Sequence, residues 1–102
     1  MPDVRDNPDQ HRYEIVVDGE VAGVAVYHQR GGRAIFVHTE IDPAYEGQGL
    51  GGQLARGALD DVRNRGLAVV PLCPFIAGWL DKHEDYQDLV DREALRYLES
   101  GT

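Results

Sequence analysis

A strand-like run ends at Ile41, Asp42-Pro43 breaks it, and Tyr45-Glu46-Gly47-Gln48-Gly49-Leu50-Gly51-Gly52-Gln53-Leu54 leads directly into a helix-like run. This junction restricts the fold more than any other stretch. Its four glycines let backbone approach a ligand without Cβ obstruction, and the N–H groups opening the next helix lack intrahelical partners and point toward negative charge. A phosphorylated ligand suits such a corner, and so does a plain loop-to-helix turn. Leu50, Leu54, Ala58 and Val62 recur every four residues, which predicts a helix to about Arg65 with one face on a sheet. Arg63 and Arg65 suit the negative end of its dipole, and Gly66 suits the C-cap. Leu67-Ala68-Val69-Val70-Pro71-Leu72 then reads as a short buried strand parallel to the one ending at Ile41, with the helix as crossover.

Upstream, Arg12–Val17 and Val21–Tyr27 are β-branched runs joined by Asp18-Gly19, a tight hairpin signal, and Arg30-Gly31-Gly32 turns the chain into Arg33–Ile41. Simple alternation places Ile35, Val37, Thr39 and Ile41 on one face of that third strand and Ala34, Phe36, His38 and Glu40 on the other. Residues 1–10 hold two prolines, three aspartates and little apolar mass, which predicts a disordered tail outside the fold. Downstream, Pro74 opens an amphipathic helix carrying Phe75, Ile76, Trp79, Leu80 and His83. Asp91 caps a third helix with Ala94, Leu95 and Leu98 inward and Val90 stapled onto Leu95. The expectation is one α/β domain over residues 11–102: a mixed sheet, an antiparallel meander plus one parallel crossover, with flanking helices.

At 102 residues the chain supports one modest core, and 42% hydrophobic with 27% charged residues is globular composition. No apolar run approaches the roughly 20 residues of a membrane span, and the N-terminus lacks the build of a signal peptide, so a cytoplasmic protein is expected. One cysteine forms no internal disulfide. The net charge of −8, from 18 acids against 10 Lys and Arg, disfavours nucleic acid. It favours a small cationic amine or basic peptide on encounter, or serves solubility alone.

Two familiar glycine motifs fail. A nucleoside triphosphate loop closes on Lys-Ser or Lys-Thr, and Gly52-Gln53 offers neither. Gly47, Gly49 and Gly52 fit the dinucleotide fingerprint, but the next strand ends Val70-Pro71-Leu72-Cys73 without the acid that holds a ribose. The chain resembles instead the GNAT acetyltransferase superfamily, whose acetyl-coenzyme A loop reads Arg or Gln, two residues, Gly, one residue, Gly or Ala. Here the register is Glu46, Gly49, Gly51, with Glu46 departing from consensus. It is most similar to the small YjdJ-type members through His38-Thr39-Glu40, Glu46-Gly47-Gln48-Gly49-Leu50-Gly51 and Pro71-Leu72-Cys73-Pro74. His83-Glu84-Asp85-Tyr86 resembles their His-Pro-x-Tyr element with Glu84 replacing proline.

The resemblance implies that acetyl-CoA is the co-substrate, its pyrophosphate on the amides of Gln48 to Gly52 within a Glu46, Gly47, Gln48, Gly49, Leu50, Gly51, Gly52, Gln53 site. It also implies that the two parallel strands splay to admit the pantetheine arm. Cys73 sits where a strand meets a helix N-terminus, which favours thiolate, although a lone cysteine also serves as a small buried hydrophobe. The YjdJ-type pattern marks it as an active-site candidate. His38 is placed across the cleft as proton acceptor or as a hydrogen-bonded strand histidine, and Glu40 as acid–base group, cation anchor or solvated carboxylate. Asp81, Glu84, Asp85, Asp88 and Asp91 form a solvated face or a substrate funnel. His11, His28 and His83 share no ligand spacing with Cys73, so no metal is expected. Direct attack by an amine and an acetyl relay through Cys73 both stand, against a rival reading as a non-catalytic acyl-CoA-binding module. A monomer or weak homodimer is expected.

Overall fold

The computed structural model describes residues 2–100. Five strands, β1 (Asp3–Asn7), β2 (Arg12–Val17), β3 (Glu20–Arg30), β4 (Arg33–Ile41) and β5 (Ala68–Pro71), form one sheet in sequential order. The first four are antiparallel and β4 pairs with β5 in parallel. The crossover between them is helix α1 (Leu50–Asn64), followed after β5 by α2 (Pro74–Asp81) and α3 (Arg92–Ser100). This is the α/β architecture read from the sequence. The β2–β3 and β3–β4 hairpins close on residue pairs with positive φ, Asp18-Gly19 and Gly31-Gly32, the two-residue geometry that matches strand twist.

Leu50, Leu54, Ala58 and Val62 of α1 are buried as expected, joined by Ala55 and Leu59. They cover Tyr13, Ile15, Ala25, Tyr27 and Phe36 from the central strands, and each fully buried large apolar side chain contributes about 1.5–3 kcal/mol. Beyond the helix, Gly66 N–H donates to Arg63 O and Leu67 N–H to Val62 O, the paired bonds of a glycine C-cap. Asp91 caps α3, its Oδ1 accepting Ala94 N–H at 3.0 Å, while Ala94, Leu95 and Leu98 are only half-buried. His83 falls past the end of α2, which stops at Asp81.

The expected tail is overturned. Asp3–Asn7 pairs with β2 from Asp3↔Val16 to Asn7↔Arg12, so the fold begins at residue 3 and not at 11. Met1 of the predicted tail and Gly101 and Thr102 of the predicted domain lie outside the described residues. Val4 is the only apolar anchor in β1, and it packs so closely on α1 that a Cβ at Gly57 would lie 2.6 Å from Val4 Cβ. The other anchors are polar. Asp6 accepts from Tyr27 Oη at 2.7 Å, and its second oxygen, otherwise without a partner and shut off from solvent, faces Arg65 Nη2 at 2.7 Å. On the opposite face the buried Glu14 carboxylate accepts from Arg12 (2.8 Å), Arg5 (3.0 Å) and Asn7 (3.1 Å). Burial alone would push the Glu14 carboxyl up, but these three donors overrule it and hold it below its ordinary value.

A second departure lies within β4. Tyr27 pairs with Phe36 but Val26 pairs with His38, so Val37 is an extra residue, a β-bulge. Residues directly opposite each other in an antiparallel pair share a face. Phe36 therefore faces α1 with Tyr27, and Thr39 and Ile41 join that face opposite Ala25 and Gly23. His38 and Glu40 project from the other face with Val26 and Val24, contrary to the simple alternation that grouped them with Phe36.

Candidate active site

The last pair between β4 and β5 is Phe36↔Pro71, yet β4 continues through Val37 to Ile41. Leu72 and Cys73 both donate backbone N–H to Phe36 O, at 3.0 and 2.9 Å, and the chain then turns into α2 at Pro74. A wedge opens between the end of β4 and the start of α2. At its mouth Asp42 shapes the loop by accepting Ala44 N–H at its side chain (2.9 Å) and Tyr45 N–H at its carbonyl (2.8 Å).

Gly47 and Gly49 follow in the left-handed region, at φ 84° and 72°, where glycine alone is free of strain. Gly49 is the N-cap of α1 and has no side chain to cap with, so the amides of the first turn remain without intrahelical partners. They line a groove of about 350 Å³ bounded by Ile41, Tyr45, Phe75 and the Glu46, Gly47, Gly49, Leu50, Gly51 and Gly52 segment. Leu50 is itself buried in the core, so its share in the groove is backbone. Gln48 and Gln53 are exposed and fall outside this lining. Phe75 sets the groove's width: a Cβ at Gly51 would come within 2.8 Å of Phe75 Cζ.

Cys73 is buried as the N-cap of α2, and its thiol donates to Thr39 Oγ1 at 3.3 Å. His38 does not meet it. Because of the bulge, His38 and Glu40 lie on the open face of the sheet, largely exposed, with His38 Nε2 3.3 Å from Glu40 Oε1. When that nitrogen carries the proton it donates to the carboxylate and leaves Nδ1 as an acceptor. Thr39, the residue that does reach Cys73, is the middle member of the quoted His-Thr-Glu motif. Its role was hidden because the bulge that turns it inward has no composition signal.

The predicted acidic funnel is partly spent within the fold. Asp88 pairs with Arg63 at 2.9 Å and Asp91 with Arg33 at 2.7 Å. Tyr86 Oη donates to Asp60 Oδ1 at 2.6 Å, a bond that, with burial, raises its pKa and ties the 3₁₀ turn Glu84–Leu89 to α1. Trp79 stacks on His83 with centroids 3.7 Å apart and meets Tyr86 edge-on at 5.0 Å. Among the described residues, no three His, Cys, Asp or Glu side chains converge as a metal-ligand set.

A helix start with unpartnered amides, set beside the wedge between β4 and α2, agrees with the sequence comparison, in which a model of the GCN5-related N-acetyltransferases matches residues 12–89. The chain belongs to that family. This GCN5-related N-acetyltransferase shares its fold with a GCN5-like candidate N-acetyltransferase from Staphylococcus aureus, at TM-score 0.66 and 20% identity over 86% of each chain. It also overlaps the ribosomal-protein-S18-alanine N-acetyltransferase of Escherichia coli at TM-score 0.55 and 26% identity, over 59% of this chain and 39% of that one. A search of curated proteins returns no match. No helix of this acetyltransferase among the described residues is long and apolar enough to cross a membrane.

Proposed function

We propose that this chain is a small, YjdJ-type, acetyl-CoA-dependent N-acetyltransferase that passes the acetyl group directly to an amine, either a small cationic amine or a protein lysine. The observation that carries this reading is the meeting of two features at one mouth: the edge of β4 beyond Phe36↔Pro71 and the uncapped start of α1. The amides of Gln48 to Gly52 would hold the pyrophosphate without a metal, because fixed N–H groups supply the countercharge. The β4 edge from Val37 to Ile41 offers backbone groups to an amide-bearing arm in the wedge.

The bulge favours direct transfer. His38 and Glu40 face solvent on one side of β4, where an incoming amine is accessible, whereas Cys73 is enclosed on the other side with Thr39 as its side-chain partner. In the proposed step the amine nitrogen bonds to the acetyl carbon, the carbon–sulfur bond breaks, and CoA leaves as thiolate. The amine proton passes to His38 Nδ1, with Glu40 holding the opposite ring nitrogen. Glu40 and Asp42, both exposed at this end of the sheet, supply the negative charge that attracts the amine.

Turnover of acetyl-CoA with a panel of primary amines and lysine peptides tests the proposal, with Cys73→Ala and His38→Ala alongside wild type. Retained transfer in Cys73→Ala and loss in His38→Ala are expected. Acetyl found on Cys73 by mass spectrometry, with transfer abolished in Cys73→Ala, would establish the relay instead. Binding of acetyl-CoA with no acceptor turned over would leave an acyl-CoA-binding module.

A further inference from the structure

The strip of surface that leads outward from the glycine groove carries an arginine committed to no carboxylate. Arg56 stands one helical turn beyond Gly52 on α1 and is exposed. The next arginines along the chain are engaged, Arg63 near the end of α1 by Asp88, and Arg65, just past that end, by Asp6 and Asp61. Arg56 has no such partner among the described residues. Its guanidinium is held by neutral groups: the carbon lies 5.4 Å from the Trp79 ring centroid and 5.5 Å from that of Tyr86, and Nη1 donates to Tyr86 Oη at 3.2 Å. Asp60, one turn further on, is taken by the Tyr86 hydroxyl.

The rings are fixed in turn. Trp79 is stacked on His83, whose Nδ1 must donate to the Trp79 carbonyl at 2.6 Å because a carbonyl only accepts. Trp79 also abuts the first turn of α1, its Nε1 3.8 Å from where a Cβ on Gly52 would stand. An oriented cation with unspent charge is therefore preorganised next to the proposed pyrophosphate site, on a chain whose net charge of −8 otherwise repels anions.

We propose that Arg56 binds the phosphomonoester on the ribose of coenzyme A and so makes this protein selective for CoA over dephospho-CoA. The inference rests on the assignment of the pyrophosphate to the glycine loop. Coenzyme A carries its diphosphate and its 3′-phosphate on one ribose, and a helical turn advances about 5.4 Å, so a side chain one turn beyond the diphosphate amides reaches the second phosphate. Guanidinium suits it, because its planar donors match phosphate oxygens two at a time.

Calorimetric titration of the full chain with CoA and with dephospho-CoA tests this. Quenching of Trp79, the sole tryptophan, gives a second reading. Wild type is expected to bind CoA at least fivefold more tightly, and Arg56→Gln to bring the two ligands within twofold by weakening CoA alone. Equal affinity of wild type for both ligands, or an unchanged preference in folded Arg56→Gln, would overturn the assignment. The wild-type comparison needs no variant and stands even where Arg56→Gln does not fold. Failure of wild type to bind either ligand would remove the acetyl-CoA reading itself, an outcome distinct from equal binding.

Discussion

Asp6→Ala is the sharpest test of the N-terminal strand, because composition assigns this residue to a tail whereas the structure buries it. The side chain is 7% exposed, and Tyr27, which donates to it, is 4% exposed. The substitution strands the Tyr27 hydroxyl and removes one of the two carboxylates on Arg65. A hydrogen bond to a charged acceptor is worth roughly 1.5–3 kcal/mol. The 3–5 kcal/mol typical of a fully broken buried pair does not apply. Arg65 is 42% exposed and keeps Asp61 at 2.8 Å. The expected loss is therefore about 2–3 kcal/mol, equivalent to a fall in Tm of roughly 10–20 °C for a domain of this size. Urea denaturation followed by far-UV circular dichroism measures it, with the exposed Asp9→Ala as control. An internal check is available at alkaline pH. Burial and the bond to Asp6 push Tyr27 up to about 12. Its folded value lies above the unfolded one, so the associated stability is present below the ordinary phenol value and lost as pH rises through about 12. In Asp6→Ala the absorbance titration of this tyrosine should move to lower pH. A loss under about 0.5 kcal/mol, the scale of an ordinary surface change, would show that β1 is not anchored as described.

Gly49→Val and Gly51→Val should each weaken acetyl-CoA binding by at least tenfold, about 1.4 kcal/mol, with the fold intact by circular dichroism; equal binding by calorimetry would place the ligand elsewhere. Gly49→Val strains a left-handed N-cap and Gly51→Val drives into Phe75, so Phe75→Ala should partly rescue the second variant and not the first. His38→Ala should abolish most transfer and Glu40→Gln should lower it by a smaller factor while acetyl-CoA affinity stays constant; transfer unmoved by either substitution would exclude the pair. Glu14 contributes stability that is present above the unfolded carboxylate value and lost as pH falls below about 4.5, so Glu14→Gln should flatten the acid limb of the stability curve, and an unchanged limb would mean that other carboxylates govern acid unfolding.

The crossover was legible because each part of it obeys a local rule. Leu50, Leu54, Ala58 and Val62 keep helical spacing, Gly66 closes the helix, and the two glycine hairpins take the backbone their residues prefer. Strand β1 was not legible because Asp6 and Arg5 read as solvent residues until their partners Tyr27, Arg65 and Glu14, at least nine positions away in sequence, are brought to them. The loop position followed from its glycines, but the role of Phe75 in closing over Gly51 depends on the angle between α1 and α2, which no periodicity encodes. The pairing of His38 with Cys73 failed for a simpler reason. Alternation counts one residue per strand position, and Val37 breaks the count.

That single supernumerary residue divides β4 into two halves with different obligations. Before Val37, Ala34 and Phe36 are committed to the interior, and replacing them costs stability. After it, His38 and Glu40 stand on solvent, so their identities are released from the packing constraint and open to variation at little cost to folding. Substitutions confined to positions 38 and 40 should thus change acetyl transfer while leaving the stability of the scaffold nearly constant. Deleting Val37, by contrast, would rotate every later side chain of the strand to the opposite side and exchange the chemical and structural inventories in one step.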